Sequence, residues 1–194
     1  MAKLTRDSIL TLEAYAKQRS AFRAEVIAHK RDRNVALGDH VTLLFEDEMT
    51  IRYQVQEMLR AEKVFEEDGI RDEMDAYNPL IPDGSNWKAT MLIEYEDIEE
   101  RRQMLAKLIR VEDRVWMQVA GCERVYAIAD EDLDRSTEQK TSAVHFLRFE
   151  SSKEMSRALK QGAELSMGVD HPAYQATLNP VPPATRTSLL RDLQ

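Results

Sequence analysis

The sequence predicts an α+β protein: a mostly antiparallel central sheet with packed helices and a long central helix. Two pairs of short apolar runs turn tightly, at Gly38-Asp39 and at Gly121-Cys122, and such hairpins pair their strands antiparallel. The order of helices and strands has no regular strand–helix–strand rhythm, which a parallel sheet would need. With 194 residues, 43% of them hydrophobic, the chain is long enough for one substantial core.

The first half of the chain predicts three helices and one hairpin. Thr5 is a plausible N-cap for the first helix, with Leu4 placed to pack on Ile9. The remaining elements are a second helix over 20–33 that ends in a basic run, a hairpin over 34–47, and a long helix over 48–76 with a break near Gly69. An irregular segment, YNPLIPDGSNW over 77–87, follows and is typical of a connection or a ligand lid.

The second half predicts mainly strands, since its apolar residues alternate with polar ones. The predicted elements are a strand over 88–95, a helix over 97–109 capped by Asp97, a hairpin over 114–129, a strand over 142–150, a helix over 153–165 and a strand ending at 178. The polar sides of these strands are thin, so the sheet is expected to be covered on both faces or strongly curled.

The domain prediction follows from the proline content near the end. Residues 1–178 are predicted to form a single α+β domain. Residues 179–194 read as a proline-rich linker and a C-terminal helix, which could pack on the body or reach a partner.

Charge and cysteine content exclude several classes of protein. The formal net charge of −8 disfavours binding to nucleic acid and to anionic lipid, because both need a basic surface. A single cysteine, Cys122, allows neither an internal disulfide nor a multi-cysteine metal site. The first ten residues are too polar for a secretion signal, and no apolar run approaches the roughly 20 residues of a membrane span. We therefore expect a cytoplasmic protein with no membrane partner.

One histidine lies in the middle of an apolar strand face. In SAVHFLRFE, over 142–150, His145 alternates with Ala143, Leu147 and Phe149. A buried histidine is more often held by a hydrogen bond than by a metal, so the functional alternative is the less frequent one. Ser142 points to the opposite face of this strand, which argues against a serine hydrolase.

A carboxylate interrupts the apolar face of the long helix. At 100° per residue, Glu62 shares a face with Ile51, Val55, Met58 and Phe65, so it should be paired, protonated or bound to a ligand. An ion pair with a sheet arginine such as Arg148 is the structural alternative.

A candidate pocket is predicted between this helix, the 77–87 segment and the strand of His145. Its candidate residues are Arg52, Gln54, Glu62, Tyr77, Asn78, Glu94, His145 and His171. Arg52 would bind an anion, Glu62 or His145 would act as base or ligand, and Tyr77 and Asn78 would hold the substrate.

Metal binding is a weaker prediction. Glu62, Glu94, His145 and His171 are suitable ligand types, but no H-x-x-x-H, H-x-H or E-x-x-H spacing connects them. No dinucleotide fingerprint, P-loop, G-x-S-x-G or C-x-x-C is present either. The sequence therefore names no cofactor.

Several long phrases resemble one bacterial family. They are VALGDHVTLLFEDEMTIRYQVQEMLRAEK, YNPLIPDGSNWKATMLIEY, VYAIADEDLDR, KTSAVHFLRFE and GVDHPAY. Together they make the chain similar, from about Thr5 to Gln194, to the family known as domain of unknown function 3501. The resemblance implies a bacterial, cytoplasmic, single-domain protein, and it supplies no activity and no catalytic residues. It also implies an association with genes for rubrerythrin-like and iron–sulfur oxidoreductase proteins.

Two functions from different classes follow. The first is an accessory protein that serves a redox partner, in line with the missing catalytic motifs. A second copy of the same chain is the alternative partner. The second is a small-molecule or metal-dependent enzyme that uses the His/Glu-lined pocket.

Overall fold

The computed structural model describes residues 3–194, which form six helices and nine strands. The helices are α1 (Leu12–Lys30), α2 (Glu48–Glu62), α3 (Glu67–Tyr77), α4 (Ile98–Lys107), α5 (Lys153–Lys160) and α6 (Pro183–Leu190). The strands are β1 (Asn34–Leu37), β2 (Val41–Glu46), β3 (Asn86–Ile93), β4 (Val115–Val119), β5 (Val125–Tyr126), β6 (Ile128–Ala129), β7 (Val144–Glu150), β8 (Leu165–His171) and β9 (Tyr174–Leu178).

The strands form two antiparallel sheets, which confirms the α+β class. The first sheet has the order β1-β2-β3-β7-β6 and the second has the order β5-β4-β8-β9. The strands divide between two sheets, because the chain between β5 and β6 crosses from one sheet to the other at Ala127. Neither sheet closes on itself. The apolar faces of both contribute to one shared core, which explains why so many strand positions are hydrophobic.

Alternating residues of both sheets fill the main core. Trp87, Ala89 and Met91 of β3 are buried in it, together with Met117 of β4 and Met167 of β8. The opposite face of the first sheet carries the half-buried side chains of β3 and β7, and it is this face that borders the cavity described below.

A tight turn and one tyrosine link the two sheets on the far side. Gly38 has φ +71°, and a Cβ there would lie 2.5 Å from the hydroxyl of Tyr174. That hydroxyl donates to the Leu37 carbonyl at 2.5 Å, so β9 is fixed against the β1–β2 hairpin. Only glycine provides both the left-handed backbone and the space.

The helices depart most from the predicted boundaries. Helix α1 is a single helix capped by Thr11, whose side chain accepts from the Ala14 amide, and Thr5 only begins a short 3-10 turn. The predicted helix over 48–76 is two helices. Its break lies at Lys63, which adopts a left-handed conformation with φ 57°, and Gly69 lies inside α3. Leu4 and Ile9 are buried in a second, smaller core with α2 and α3, as their predicted contact requires.

The C-terminal segment packs on the body. The indole of Trp87 donates to the Leu189 carbonyl at 2.9 Å, and Val181, Leu189 and Leu193 belong to the main core. Whether residues 1–178 form a domain distinct from 179–194 stays a prediction, and residues 1 and 2 lie outside the described part of the chain.

A buried ion pair joins this segment to the turn between α1 and β1. Arg33 is 2% exposed, donates to the Phe45 carbonyl at 3.0 Å, and contacts Asp192 at 2.6 Å between Nη2 and Oδ2. Asp192 is 1% exposed. Burial raises the pKa of Asp192 from 3.8 to about 6, and the attraction of Arg33 only partly opposes this effect.

Among residues 3–194, none of the helices combines the length and the apolar character needed to cross a bilayer.

The raised pKa of Asp192 predicts a pH-dependent stability. Between about pH 4 and about pH 6 the folded chain holds this proton more tightly than the unfolded chain, so the contribution of Asp192 to the free energy of unfolding falls as the pH rises. The Asp192→Asn variant has no ionisable group at this position and resembles the protonated acid at every pH. Between about pH 4 and pH 7, the stability difference should shift in favour of the variant by up to about 3 kcal/mol. Urea denaturation of both proteins measures it; a constant difference, or a shift in favour of the natural chain, would show that Asp192 stays ionised.

Candidate functional site

His145 is the centre of a buried polar network. It lies on the core face of β7, opposite Met91 of β3, and is 0% exposed. Its Nδ1 donates to Asp130 Oδ2 at 2.6 Å, while its Nε2 lies 2.9 Å from Thr141 Oγ1 and 3.1 Å from the Ser142 carbonyl. Both ring nitrogens thus have partners, which is the structural alternative that the sequence favoured.

The network continues from Thr141 to a second acid. The Thr141 hydroxyl lies 3.3 Å from Glu112 Oε2, and Ser136 Oγ donates to Glu112 Oε1 at 2.5 Å. Glu112 is 3% exposed, and its one ion-pair contact within residues 3–194 is with His145, at 3.8 Å. A continuous chain of hydrogen bonds therefore joins Asp130, His145, Thr141, Glu112 and Ser136.

Asp130 is positioned by an unusual backbone conformation. Its φ is +50°, a left-handed conformation that aspartate tolerates better than most residues. The Asp130 amide donates to the Phe146 carbonyl and its Oδ1 accepts from the Phe146 amide, at 2.8 and 2.9 Å. These bonds and the one to His145 fasten the start of the 130–141 segment to β7.

The Asp130–His145–Thr141 arrangement has the order of contacts of a catalytic triad, but it lacks access. Thr141 is 1% exposed and its hydroxyl already contacts Glu112, so a substrate cannot reach it. The arrangement is therefore suited to holding the 130–141 segment rather than to nucleophilic attack.

Glu112, Asp130 and His145 of this network are the described group best suited to a metal ion. One ligand atom from each of Glu112, Asp130 and His145 lies within 4.8 Å of the others. These ligand types suit divalent transition metals. All three side chains already have hydrogen-bond partners, so binding an ion would require breaking the Asp130–His145 bond or the contacts of Thr141.

The structure does not bring the four predicted metal ligands together. Glu62 is exposed in the last turn of α2, because the face that it shares with Ile51, Val55 and Leu59 is buried only as far as Leu59. Its predicted inward position is wrong. Glu94 is also exposed and accepts from Thr42 Oγ1 at 2.8 Å. No hydrogen bond or ion pair joins any two of the four within the described residues.

His171 has local partners that explain its burial. It is 8% exposed; its Nδ1 accepts from the Ala173 amide, and its Nε2 donates to the Ile109 carbonyl, both at 3.1 Å. These bonds shape the β8–β9 turn.

Of three other candidates, Arg52 and Gln54 lie on α2 and Asn78 lies directly after α3. Arg52 pairs with Glu48 at 3.1 Å and stacks over Phe22, and Gln54 is half-buried on the same helix. Asn78 bonds both the amide and the carbonyl of Leu4, at 2.8 and 3.1 Å, so it fastens the N-terminal segment.

The structure contains a cavity between a helix, the turn that follows it and two paired strands. It has a volume of about 400 Å³ and lies between α3 with the turn that follows it and the outer face of β3 and β7. Of the predicted residues only Tyr77 lines it. Its apolar wall also includes Ala76, Pro79, Leu80 and Phe146.

The charged groups at this cavity are almost all paired with each other. Arg148 makes a two-point contact with Glu131, with both distances 2.7 Å, and Arg135 makes one with Asp132, at 2.5 and 2.7 Å. Lys88 of β3 is half-buried and, among residues 3–194, has no carboxylate within 4 Å of its amine. Burial, together with the nearby Arg148, lowers the pKa of Lys88.

Glu73 shows the opposite effect on the α3 side. Burial raises the pKa of its carboxyl, with Glu62 and Asp72 contributing in the same direction. The cavity thus combines an amine that loses its proton more readily with an acid that keeps its proton more readily. Displaced pKa values of opposite sense in one cavity are typical of functional sites.

No sequence pattern singles out Lys88, Glu112 or Asp130. Lys88 has the spacing of an ordinary outward residue on an alternating strand. Asp130 and Glu112 lie 15 and 33 positions before His145, in segments that read as acidic loop or helix end. The one available signal was the strand pattern itself, which places Lys88, Phe146 and Arg148 on the outer face once β3 and β7 are paired.

The comparisons with known proteins give a family and a relative. The profile of the family described as "Protein of unknown function (DUF3501)" matches residues 3–193. The chain belongs to this family. A crystal structure of a protein of unknown function from Burkholderia pseudomallei is similar to this DUF3501 protein at a TM-score of 0.94, with 58% identity over 100% of both chains. The search of the curated proteins finds no match.

Removing the central histidine should destabilise this DUF3501 protein. In His145→Leu, Asp130 and Thr141 lose their shared partner inside the core, and we expect a loss of about 3 kcal/mol. His40→Leu is the matched control, because that ring is only half-buried; its cost should stay below about 1 kcal/mol. Urea denaturation measures both, and equal losses in the two variants would contradict the structural role of His145.

Proposed function

We propose that this DUF3501 protein binds a small apolar molecule with an anionic group, in the cavity between α3 and the outer face of β3 and β7. A cavity of about 400 Å³ is within the roughly 300–1,000 Å³ of small-molecule sites. The apolar wall would take the body of the ligand.

The observation that carries the proposal is the uncompensated charge of Lys88. The acids at the cavity rim, Glu131 and Asp132, are each engaged by an arginine. Glu73 lies on the other side of the cavity, and burial raises the pKa of its carboxyl. Lys88 is thus the cation that remains available for a carboxylate or another anionic group.

The proposal is a version of the enzyme alternative that the sequence suggested, with different residues. Tyr77 keeps the role of substrate contact, since it lines the cavity. Lys88 replaces Arg52 as the anion-binding residue, because Arg52 already pairs with Glu48.

Calorimetric titration with hexanoate and phenylacetate tests the site. We expect both acids to bind, and Lys88→Met to weaken them about tenfold or more, because a charged hydrogen bond to the ligand is lost. Lys140→Met, at an exposed position, should leave the affinity unchanged. Lack of binding by the natural chain, or equal affinities in the two variants, would contradict the proposal.

A second candidate function rests on the exposed edge where the two sheets meet. Strands β5 and β6 are terminal strands of their sheets, and Tyr126 and Ile128 on them are each 41% exposed. An open strand edge with large apolar side chains suits a protein partner. We propose it as the place where an accessory DUF3501 protein would contact a rubrerythrin-like or iron–sulfur oxidoreductase protein, the partners that the family resemblance implies.

This second candidate predicts a specific loss of complex formation. A purified rubrerythrin-like protein and a purified iron–sulfur oxidoreductase from the same bacterium are each mixed with the chain and examined by sedimentation velocity. A complex should form with one of them and be abolished by Ile128→Glu, whereas Ile98→Glu, at another exposed site, should leave it intact. Absence of any complex, or equal effects of both substitutions, would rule out this edge as the docking site.

A further inference from the structure

We propose that Lys88 is a nucleophile that condenses with the carbonyl carbon of a small apolar aldehyde or ketone held in the cavity beside α3. This inference rests on the proposed ligand site and extends it from binding to covalent chemistry. The ligand would then carry a carbonyl group in addition to its apolar body.

The position of the amine supports this role. Lys88 is half-buried on the outer face of β3, where Phe146 of β7 and Tyr77 and Leu80 from the α3 side line the same cavity. Lysines that form imines are those removed from water and free of an ion pair, because a hydrated or paired ammonium holds its proton. Lys88 is half-buried, and within residues 3–194 its amine has no ion pair.

The charged groups around Lys88 act in different directions. Arg148 and Lys3 disfavour the ammonium, whereas Glu131 and Asp83 favour it. Glu131 is held by Arg148 at 2.7 Å, and Asp83 accepts from Ser85 Oγ at 2.7 Å, so both acids are directed to other donors. Burial and Arg148 outweigh them, and the pKa of Lys88 is lowered, which increases the fraction of free amine near neutral pH.

The reaction balances without an oxidant or a reductant. The lone pair of the amine forms a bond to the carbonyl carbon, and the carbonyl π electrons move to the oxygen. Both amine protons then leave with that oxygen as water, and the product is a neutral C=N bond. Glu73 lines the same cavity, and its raised pKa suits it to pass one proton to the departing oxygen and then to take one of the amine protons, so that Glu73 ends the step unchanged.

Reductive trapping tests the inference on the natural chain. The protein is incubated with a limiting amount of benzaldehyde and sodium cyanoborohydride, which converts an imine into a stable benzyl amine, and the modified lysines are located by peptide mass spectrometry. Lys88 should be modified about tenfold faster than the exposed Lys17 and Lys140, and hexanoate should slow its modification only.

The Lys88→Arg variant separates this inference from the proposed function. Arginine keeps the positive charge but forms no imine under these conditions, so the variant should still bind hexanoate and should lose the preferred site of labelling. If Lys88 reacts no faster than the exposed lysines while Lys88→Met still weakens hexanoate binding, the imine chemistry is wrong and the ligand site stands. If hexanoate does not bind the natural chain and labelling is unselective, both fail.

Discussion

The contact between Asp130 and His145 is the interaction on which the candidate site depends. It joins a left-handed loop residue to a fully buried strand residue at 2.6 Å, and so fixes the direction in which the 130–141 segment leaves β6. Glu131 and Asp132 follow immediately and form the acidic rim of the cavity, where they occupy Arg148 and Arg135. The availability of Lys88 is therefore a consequence of a hydrogen bond made on the other face of the same sheet.

Strands and turns were the most predictable part of this fold. A glycine with positive φ marks each predicted hairpin, at Gly38 and Gly121, and alternation then determines which side chains face the core. Helix ends were less predictable because several residues compete for each one. Thr5 and Thr11 are both of a residue type that caps helices, and the structure uses Thr11 as the cap of α1. The break after α2 falls at Lys63, which carries no local signal for a left-handed conformation.

The cavity and the predicted pocket differ in their residues. The cavity lies between α3, the turn that follows it and the outer face of β3 and β7, whereas the predicted pocket included His145, which lies on the core face. The residues that carry charge there depend on tertiary pairing. Glu62 fails because α2 ends one turn too early to bury it, whereas Lys88 and Phe146 become neighbours only through the β3–β7 register. A pattern read along one segment contains no information about such partners.

The last part of the chain contributes to the first part of the fold. Leu189 and Leu193 lie in the main core, and Asp192 is the buried partner of Arg33 in the turn between α1 and β1. During synthesis, Arg33 emerges from the ribosome about 160 residues before Asp192 does, so its guanidinium must wait in solvent or with a temporary partner. Final consolidation of the two sheets therefore waits for the C-terminal segment, and until it arrives the open end of the nascent protein is accessible to chaperones.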